Sequence, residues 1–395
     1  MEFAARMSRL GTETAFEVLA RARDLERQGR DIIHLEIGEP DFDTPGNIVD
    51  AAVRALREGY THYNPSAGVD ELRVAIAEDQ NRRKGLNASP DNVVVTAGGK
   101  PIMFYVMLAL LEAGDEVIYP NPGFPIYESM INFLNARAIP IGFNEVGGRL
   151  SWDVDTALER IGPRTKMIVI NSPSNPVGAN IGRPDLERVA EAVRGRNILV
   201  LSDEIYSRML YDDDFCSIAS LEGMAEKTCV LDGFSKTYAM TGWRLGYGVM
   251  PLWLAPQVTR LVTNSTSCTA TFVQMAGVEA LTGPQQSVTS MVNEFRRRRD
   301  LVIPGLNDTS GVTCAVPQGA FYAFPNIART GLSSREAADL LLYEAGVAVL
   351  AGTSFGSNGE GYLRLSYANS YENLERALGR MKEVLEHAAL STTQT

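Results

Sequence analysis

Between residues 93 and 231 the chain repeats one pattern: a short apolar run, a polar or glycine-rich cluster, then a stretch of helical periodicity. The runs are Val93-Val94-Val95, Val117-Ile118-Tyr119, Ile168-Val169-Ile170, Ile198-Leu199-Val200-Leu201 and Cys229-Val230-Leu231. Unbroken apolar strands alternating with helices predict a mostly parallel sheet with helices on both faces, because each strand is then buried on two sides. Ligands of such sheets bind beyond the carboxyl ends of the strands. The clusters at those ends are Thr96-Ala97-Gly98-Gly99-Lys100, Pro120-Asn121-Pro122-Gly123-Phe124, residues 171–178, Ser202-Asp203-Glu204 with Tyr206, and residues 233–246. Pro101 is placed to open a helix after the first cluster.

The flanks read differently. Residues 13–29 form a helical pattern with Phe16, Leu19, Ala20, Ala22 and Leu25 near one face and Gly29 closing it. A strand is expected over 32–37, a turn-rich segment from Gly38 to Pro45, and helices over 46–58 and 69–84, with Tyr63 in the loop between them. Beyond about residue 255 a long helix is expected over 284–303, its basic run 296–299 forming a solvated face. Segments 319–324, 347–350 and 362–367 then alternate as an antiparallel sheet does, flanked by helices at 334–345 and 371–387. The predicted class is α/β, with residues 46–285 as a large domain and 286–395 as a smaller α+β domain. Residues 1–45 join the small domain, and a polar tail occupies 391–395.

Composition narrows the setting. A chain of 395 residues exceeds one ordinary core at about 100–200 residues per domain, so two domains are expected. A formal net charge of −11 argues against nucleic acid or an anionic membrane as the main partner, though small anions respond to local fields. Four scattered cysteines and three histidines without paired spacing support neither a zinc site nor a disulfide framework. No run approaches the roughly 18 apolar residues of a membrane span, and the first ten residues lack a signal-peptide core. A reduced, cytoplasmic setting is expected, with no metal.

The chemistry concentrates in residues 233–246, where Ser235-Lys236 precedes Arg244. A lysine that reacts covalently needs a dry site to lower its pKa and a carbonyl to condense with. A hydroxyl and a guanidinium beside it suit a phosphate, which arginine binds with two parallel donors. Other signatures fail: Gly246-x-Gly248 lacks the rest of a dinucleotide fingerprint, Gly98-Gly99-Lys100 lacks the first P-loop glycine, and no Gly-x-Ser-x-Gly elbow occurs.

Five landmarks in order complete the picture: Gly38-Glu39-Pro40-Asp41-Phe42, Asn171-Ser172-Pro173-Ser174-Asn175-Pro176-Val177-Gly178, Ser202-Asp203-Glu204-Ile205-Tyr206, Ser235-Lys236-Thr237 with Gly242-Trp243-Arg244, and Arg364-Leu365-Ser366-Tyr367. With them the chain resembles class I aminotransferases of the fold type I pyridoxal-phosphate superfamily, and within these the bacterial aspartate aminotransferase subgroup. The likeness runs from about Leu10 to Leu385. It implies Lys236 as the Schiff-base lysine and proton carrier, Asp203 against the pyridinium nitrogen, and Asn175 and Tyr206 on the phenolic oxygen. It also implies Phe124 stacked on the ring. The phosphate would be held by Ser235, Arg244, the backbone of Gly98, Gly99 and Lys100 at a helix N-terminus, and Tyr63 from a partner subunit, hence a homodimer with shared sites. Arg364 would clamp the substrate α-carboxylate, with Gly38 passing close to it and Asn175 also on the substrate side.

The implied reaction is ping-pong transfer of an amino group from an L-amino acid to 2-oxoglutarate. Lys100 corresponds to a lysine that contacts the distal carboxylate in the subgroup, which points to aspartate. Alternatives are aromatic, alanine or prephenate-type substrates, a β-lyase on the same fold, or a non-catalytic effector-binding module. The chain departs from the subgroup at Pro101-Ile102-Met103-Phe104, at Pro122-Gly123-Phe124, and at Leu10-Gly11-Thr12-Glu13-Thr14, where relatives carry small hydroxyl residues. An inward-pointing Glu13 would disfavour a second substrate carboxylate.

Overall fold

A computed structural model describes residues 2–392; Met1 and the end of the polar tail, residues 393–395, lie outside the described residues. Among these the centre is a seven-stranded sheet of β1 (Val93–Thr96), β2 (Glu116–Pro120), β3 (Arg137–Ile141), β4 (Thr165–Asn171), β5 (Leu199–Asp203), β6 (Thr228–Gly233) and β7 (Gly246–Val249). Their spatial order is β1-β7-β6-β5-β4-β2-β3. All neighbours run parallel except β7, which is antiparallel to both β1 and β6. Successive residues face opposite layers, as a pleated strand requires. Val94, Val117, Val169, Leu201 and Leu231 pack with helices Lys100–Leu110, Ile126–Phe133 and Ala255–Ser265. Val95 and Val230 pack with helices Gly46–Arg57, Asp70–Lys84 and Thr271–Thr282, and Ile118, Ile168 and Val200 with helix Arg183–Val193.

Two strands escape the apolar-run pattern. β3 lies at the sheet edge, where only one side needs burial, and it carries Pro140, which an edge tolerates. β7 has glycine at two of its four positions. At Gly246 a side chain would strike the backbone of Gly98 and Gly99, so the close packing of β7 on β1 requires glycine there. Because β7 is antiparallel, its first residue lies beside Thr96 and Gly233, at the carboxyl edge of its neighbours.

A second core joins β8 (Tyr322–Ala323), β9 (Leu350–Ala351) and β10 (Leu363–Ser366), an antiparallel sheet in the order β8-β10-β9, with helices Gln286–Asn307, Ser334–Leu340 and Tyr371–Thr392. The expected strand over 32–37 reduces to Ile33–His34, paired in parallel with Val347–Ala348 rather than in an antiparallel ladder. That pairing ties the N-terminal segment to this second core. In helix Ala15–Arg27 the buried positions are Ala22 and Leu25, whereas Phe16 is 61% exposed, near the cavity described below.

The basic run 296–299 corrects the expectation of a solvated face. Arg298 and Arg299 are buried because acidic groups meet them from other segments. Arg298 bridges Asp41 at 2.6 Å and Glu294 at 3.0 Å, and Arg299 reaches Asp212 at 2.5 Å and Asp300 at 2.8 Å. A buried arginine is tolerated when its donors are matched, and removing one partner leaves an uncompensated charge. Arg298→Leu is therefore expected to lower unfolding free energy by about 3 kcal/mol, measured by urea denaturation.

His34 carries a pH dependence. Its Nδ1 is 2.7 Å from the buried Glu36 and its Nε2 3.1 Å from Glu26. The hydrogen bond to Glu36 outweighs burial and raises the imidazole pKa to about 9. A folded pKa above the unfolded value of about 6.5 means the stabilisation is complete below about pH 6.5 and lost as pH rises through about 9. The difference in thermal midpoint between the wild type and His34→Gln should shrink over that window.

Candidate active site

At the carboxyl edge of the sheet lies a cavity of about 520 Å³. Its lining comes from separate strand ends: Lys100 after β1, Phe124 after β2, Asn171 and Asn175 at and after β4, Asp203 at the end of β5, and Ser235 and Lys236 after β6. Arg244 reaches it from just before β7, which is possible because β7 runs antiparallel. The second core closes the cavity with Tyr322 and Arg364, and the N-terminal segment adds Glu13 and Gly38.

The geometry is specific. Lys236 Nζ donates to the Gly38 carbonyl at 2.5 Å. Burial pulls its ammonium pKa down to about 8; Glu39 opposes this, while Arg364, Lys100 and Arg244 push the same way. Burial raises the Asp203 carboxyl to about 6, against the lowering effect of the Tyr127 phenol, which donates to Oδ2 at 2.6 Å, and of the Ile205 backbone N–H. Asn171 accepts from the Asn175 backbone N–H at 2.8 Å and donates to the Asp203 carbonyl at 3.1 Å, so one side chain sets the turn that presents Asn175. Tyr206 and Tyr322 share a hydrogen bond at 2.7 Å. Arg364 donates to the Glu36 carbonyl at 2.6 Å and lies over the rings of Tyr322 and Phe355.

Eleven sequence-predicted residues line this cavity: Gly38, Gly99, Lys100, Phe124, Asn175, Asp203, Tyr206, Ser235, Lys236, Arg244 and Arg364. Gly98 lies just behind, at φ 89, packed so tightly on the Arg244 guanidinium that a side chain would collide with it. Its N–H donates to the Thr96 carbonyl at 2.8 Å, leaving Gly99 and Lys100 to open the helix Lys100–Leu110. Tyr63 stands apart, 90% exposed and outside the cavity. Sequence reasoning missed Tyr127, which reaches Asp203 from a helix, and Tyr322, whose hydroxyl meets Tyr206 and crowds Gly38. Lys100 forms an ion pair with Glu13.

The family model for aminotransferase class I and II matches residues 30–381. The chain belongs to that family. Similar proteins include an aspartate aminotransferase of Pyrococcus abyssi, 41% identical over 93% of this chain and 95% of that protein. An aromatic-amino-acid aminotransferase of Thermococcus litoralis is also 41% identical, over 93% and 95% of the two chains. Among solved structures, an aspartate aminotransferase from Thermus thermophilus with maleate superposes at a TM-score of 0.92, with 38% identity, covering 97% of this chain and all of that one.

Aminotransferases of this family use pyridoxal phosphate and act on amino acids and oxo acids. The cavity fits that group. It contains buried polar atoms without partners, namely Asn175 Oδ1 and Arg364 Nε and Nη1; the arginine donors ask for acceptors, and the Asn175 amide, turned about its Cβ–Cγ bond, presents its Nδ2 donors in place of Oδ1. A helix start, the Ser235 hydroxyl and the exposed Arg244 guanidinium converge at one end, a donor set suited to a phosphate. No described helix is long and apolar enough to cross a membrane.

Removal of the Tyr127 hydroxyl isolates one contribution. Tyr127→Phe takes away a hydrogen bond that lowers the Asp203 pKa, so that pKa should rise above about 6. The acid limb of the transamination pH–rate profile should move upward, with kcat/KM near pH 6 falling about tenfold.

Proposed function

We propose that this aminotransferase moves the amino group of an L-amino acid to 2-oxoglutarate in two half-reactions that use one site in turn, with aspartate the donor that Lys100 supports. The observation that carries this reading is the Lys236 amine, with its pKa drawn down to about 8, in one cavity with Asp203 and the unpartnered donors of Arg364.

Bound pyridoxal phosphate supplies an aldehyde that condenses with amines and a ring that accepts the electron pair of a broken Cα–H bond. Lys236 would hold the group covalently; once released, its Nζ would take the substrate Cα proton and return it elsewhere. A pKa near neutrality suits both directions of that transfer. Asp203 would stand as the carboxylate against the ring nitrogen and keep it protonated. Asn175 and Tyr206 would donate to the phenolic oxygen, with Tyr322 fixing the Tyr206 hydroxyl. Phe124 would cover one face of the ring. Ser235, Arg244, and the Gly99 and Lys100 N–H groups beside Gly98 would bind the phosphate. Arg364 would seat the α-carboxylate on its guanidinium, whose plane is fixed by the Nη2 bond to the Glu36 carbonyl and which still has unpartnered donors. Gly38 would pass its backbone beside that carboxylate, where Tyr322 leaves no room for a side chain.

The exposure of Tyr63 supports a homodimer in which this residue completes a neighbouring subunit's phosphate site. The separate cores support a large domain over 46–285 and a small one over 286–395 joined by 1–45.

Borohydride reduction of the holoenzyme followed by peptide mapping should place the cofactor on Lys236; a label on another lysine would sink the assignment. An amino acid alone should convert the bound cofactor to its amine form without releasing ammonia and pyruvate, whose appearance would identify elimination instead. Lys236→Ala should abolish that conversion, and Arg364→Ala should lower kcat/KM by about 100-fold, the loss of roughly 3 kcal/mol from a charge-assisted pair.

A further inference from the structure

Lys100 is the cation of the cavity that the α-carboxylate does not need, since Arg364 already offers unpartnered donors. Yet Lys100 is not free. Glu13, also on the cavity lining, holds its ammonium in an ion pair, with the Glu13 side chain only 19% exposed. Glu13 belongs to the short segment before helix Ala15–Arg27. That segment is tethered at Gly11, whose N–H donates to Ser129 at 2.9 Å, and at Arg9, which donates to the Asn132 carbonyl at 2.9 Å. The surroundings are apolar and aromatic: Phe16, Phe124 and Phe355 share the lining, and Lys100 Nζ lies 5.4 Å from the centre of the Phe124 ring.

We propose that Glu13 is a resident carboxylate that determines substrate class: amino acids with neutral or aromatic side chains bind with the Glu13–Lys100 pair closed, and a dicarboxylic acid binds only by displacing Glu13 from Lys100. This deepens the proposed transamination and rests on that reading for the seat of the α-carboxylate on Arg364. The argument is electrostatic. With the pair closed, the two charges cancel and the wall beside Phe124 accepts an apolar side chain without burying an unmatched charge. A second substrate carboxylate would meet Glu13 as a like charge while competing for the same ammonium. The Lys100 side chain is 47% exposed, and ion pairs with an exposed partner are weak, so displacement by a dicarboxylate is allowed but opposed. One pocket then serves neutral and aromatic side chains with the pair closed, and dicarboxylic acids, aspartate and 2-oxoglutarate alike, with the pair opened.

Binding of unreactive acids to the holoenzyme separates this from catalysis. Succinate represents the dicarboxylic class and 3-phenylpropionate the neutral aromatic class, with Kd read by titration calorimetry in the wild type, Glu13→Gln and Glu13→Ser. Both variants should bind succinate about 5-fold tighter or better, and 3-phenylpropionate within about twofold of the wild type. The KM for aspartate should fall in parallel while that for phenylalanine stays level. An unchanged ratio of the two Kd values in both variants overturns the proposal. A wild type that binds both acids and shows the shift in the variants, yet transaminates neither amino acid, would overturn the reaction and leave the role of Glu13 standing.

Discussion

An amine cannot be both charged and dry without cost, and the structure is arranged around that conflict at Lys236. Burial takes water from the ammonium, and three further cations face it across the same cavity. The result is a pKa near 8 rather than 10.5, so the neutral amine is accessible under mild conditions. The sheet supplies the platform, because its parallel strands bring their polar carboxyl ends to one edge. The antiparallel β7 brings Arg244 to that edge as well. The second core supplies the cover, with Arg364 held over two aromatic rings.

The same site shows why a global charge says little about a local one. The chain carries a formal −11, yet Lys100, Lys236, Arg244 and Arg364 gather in one cavity. Three acidic side chains share the lining, each with its own task. Asp203 is held by Tyr127, Glu39 contacts Thr241, and Glu13 is engaged with Lys100. What remains unmatched is positive, which is the field an anionic phosphate and an α-carboxylate require.

Residues whose role follows from a position at a strand end were legible in the chain itself. Asn175, Asp203, Ser235 and Lys236 each follow an apolar run, and the run predicts the strand. Tyr127 was not legible, because it lies inside a helix where an aromatic residue reads as core, and only the fold brings its hydroxyl to Asp203. Tyr322 was hidden the same way in a short strand of the second core. β7 was missed because close packing on β1 demanded glycine where strand propensity asks for branched residues. The arginines at 298 and 299 were misread because their partners at 41 and 212 lie far away in sequence. Local pattern reveals what a segment is; it does not reveal what another segment brings to it.

Arg364 illustrates how far the clamp's geometry reaches beyond the cavity. Its guanidinium donates to the carbonyl of Glu36, whose own carboxylate is fully buried and meets His34. His34 in turn belongs to the short parallel pairing that ties the N-terminal segment to Val347–Ala348, one residue before β9, where Leu350 sits opposite Arg364. The chain of contacts therefore ends on β9, the strand paired with the β10 strand that carries Arg364, and the loop closes on itself. A guanidinium that must present two donors in one plane is held by a ring of interactions drawn from the N-terminal segment and two neighbouring strands near the other end of the chain. That closure is why the N-terminal segment, remote from the lysine in sequence, is as much a part of the site as the strand ends.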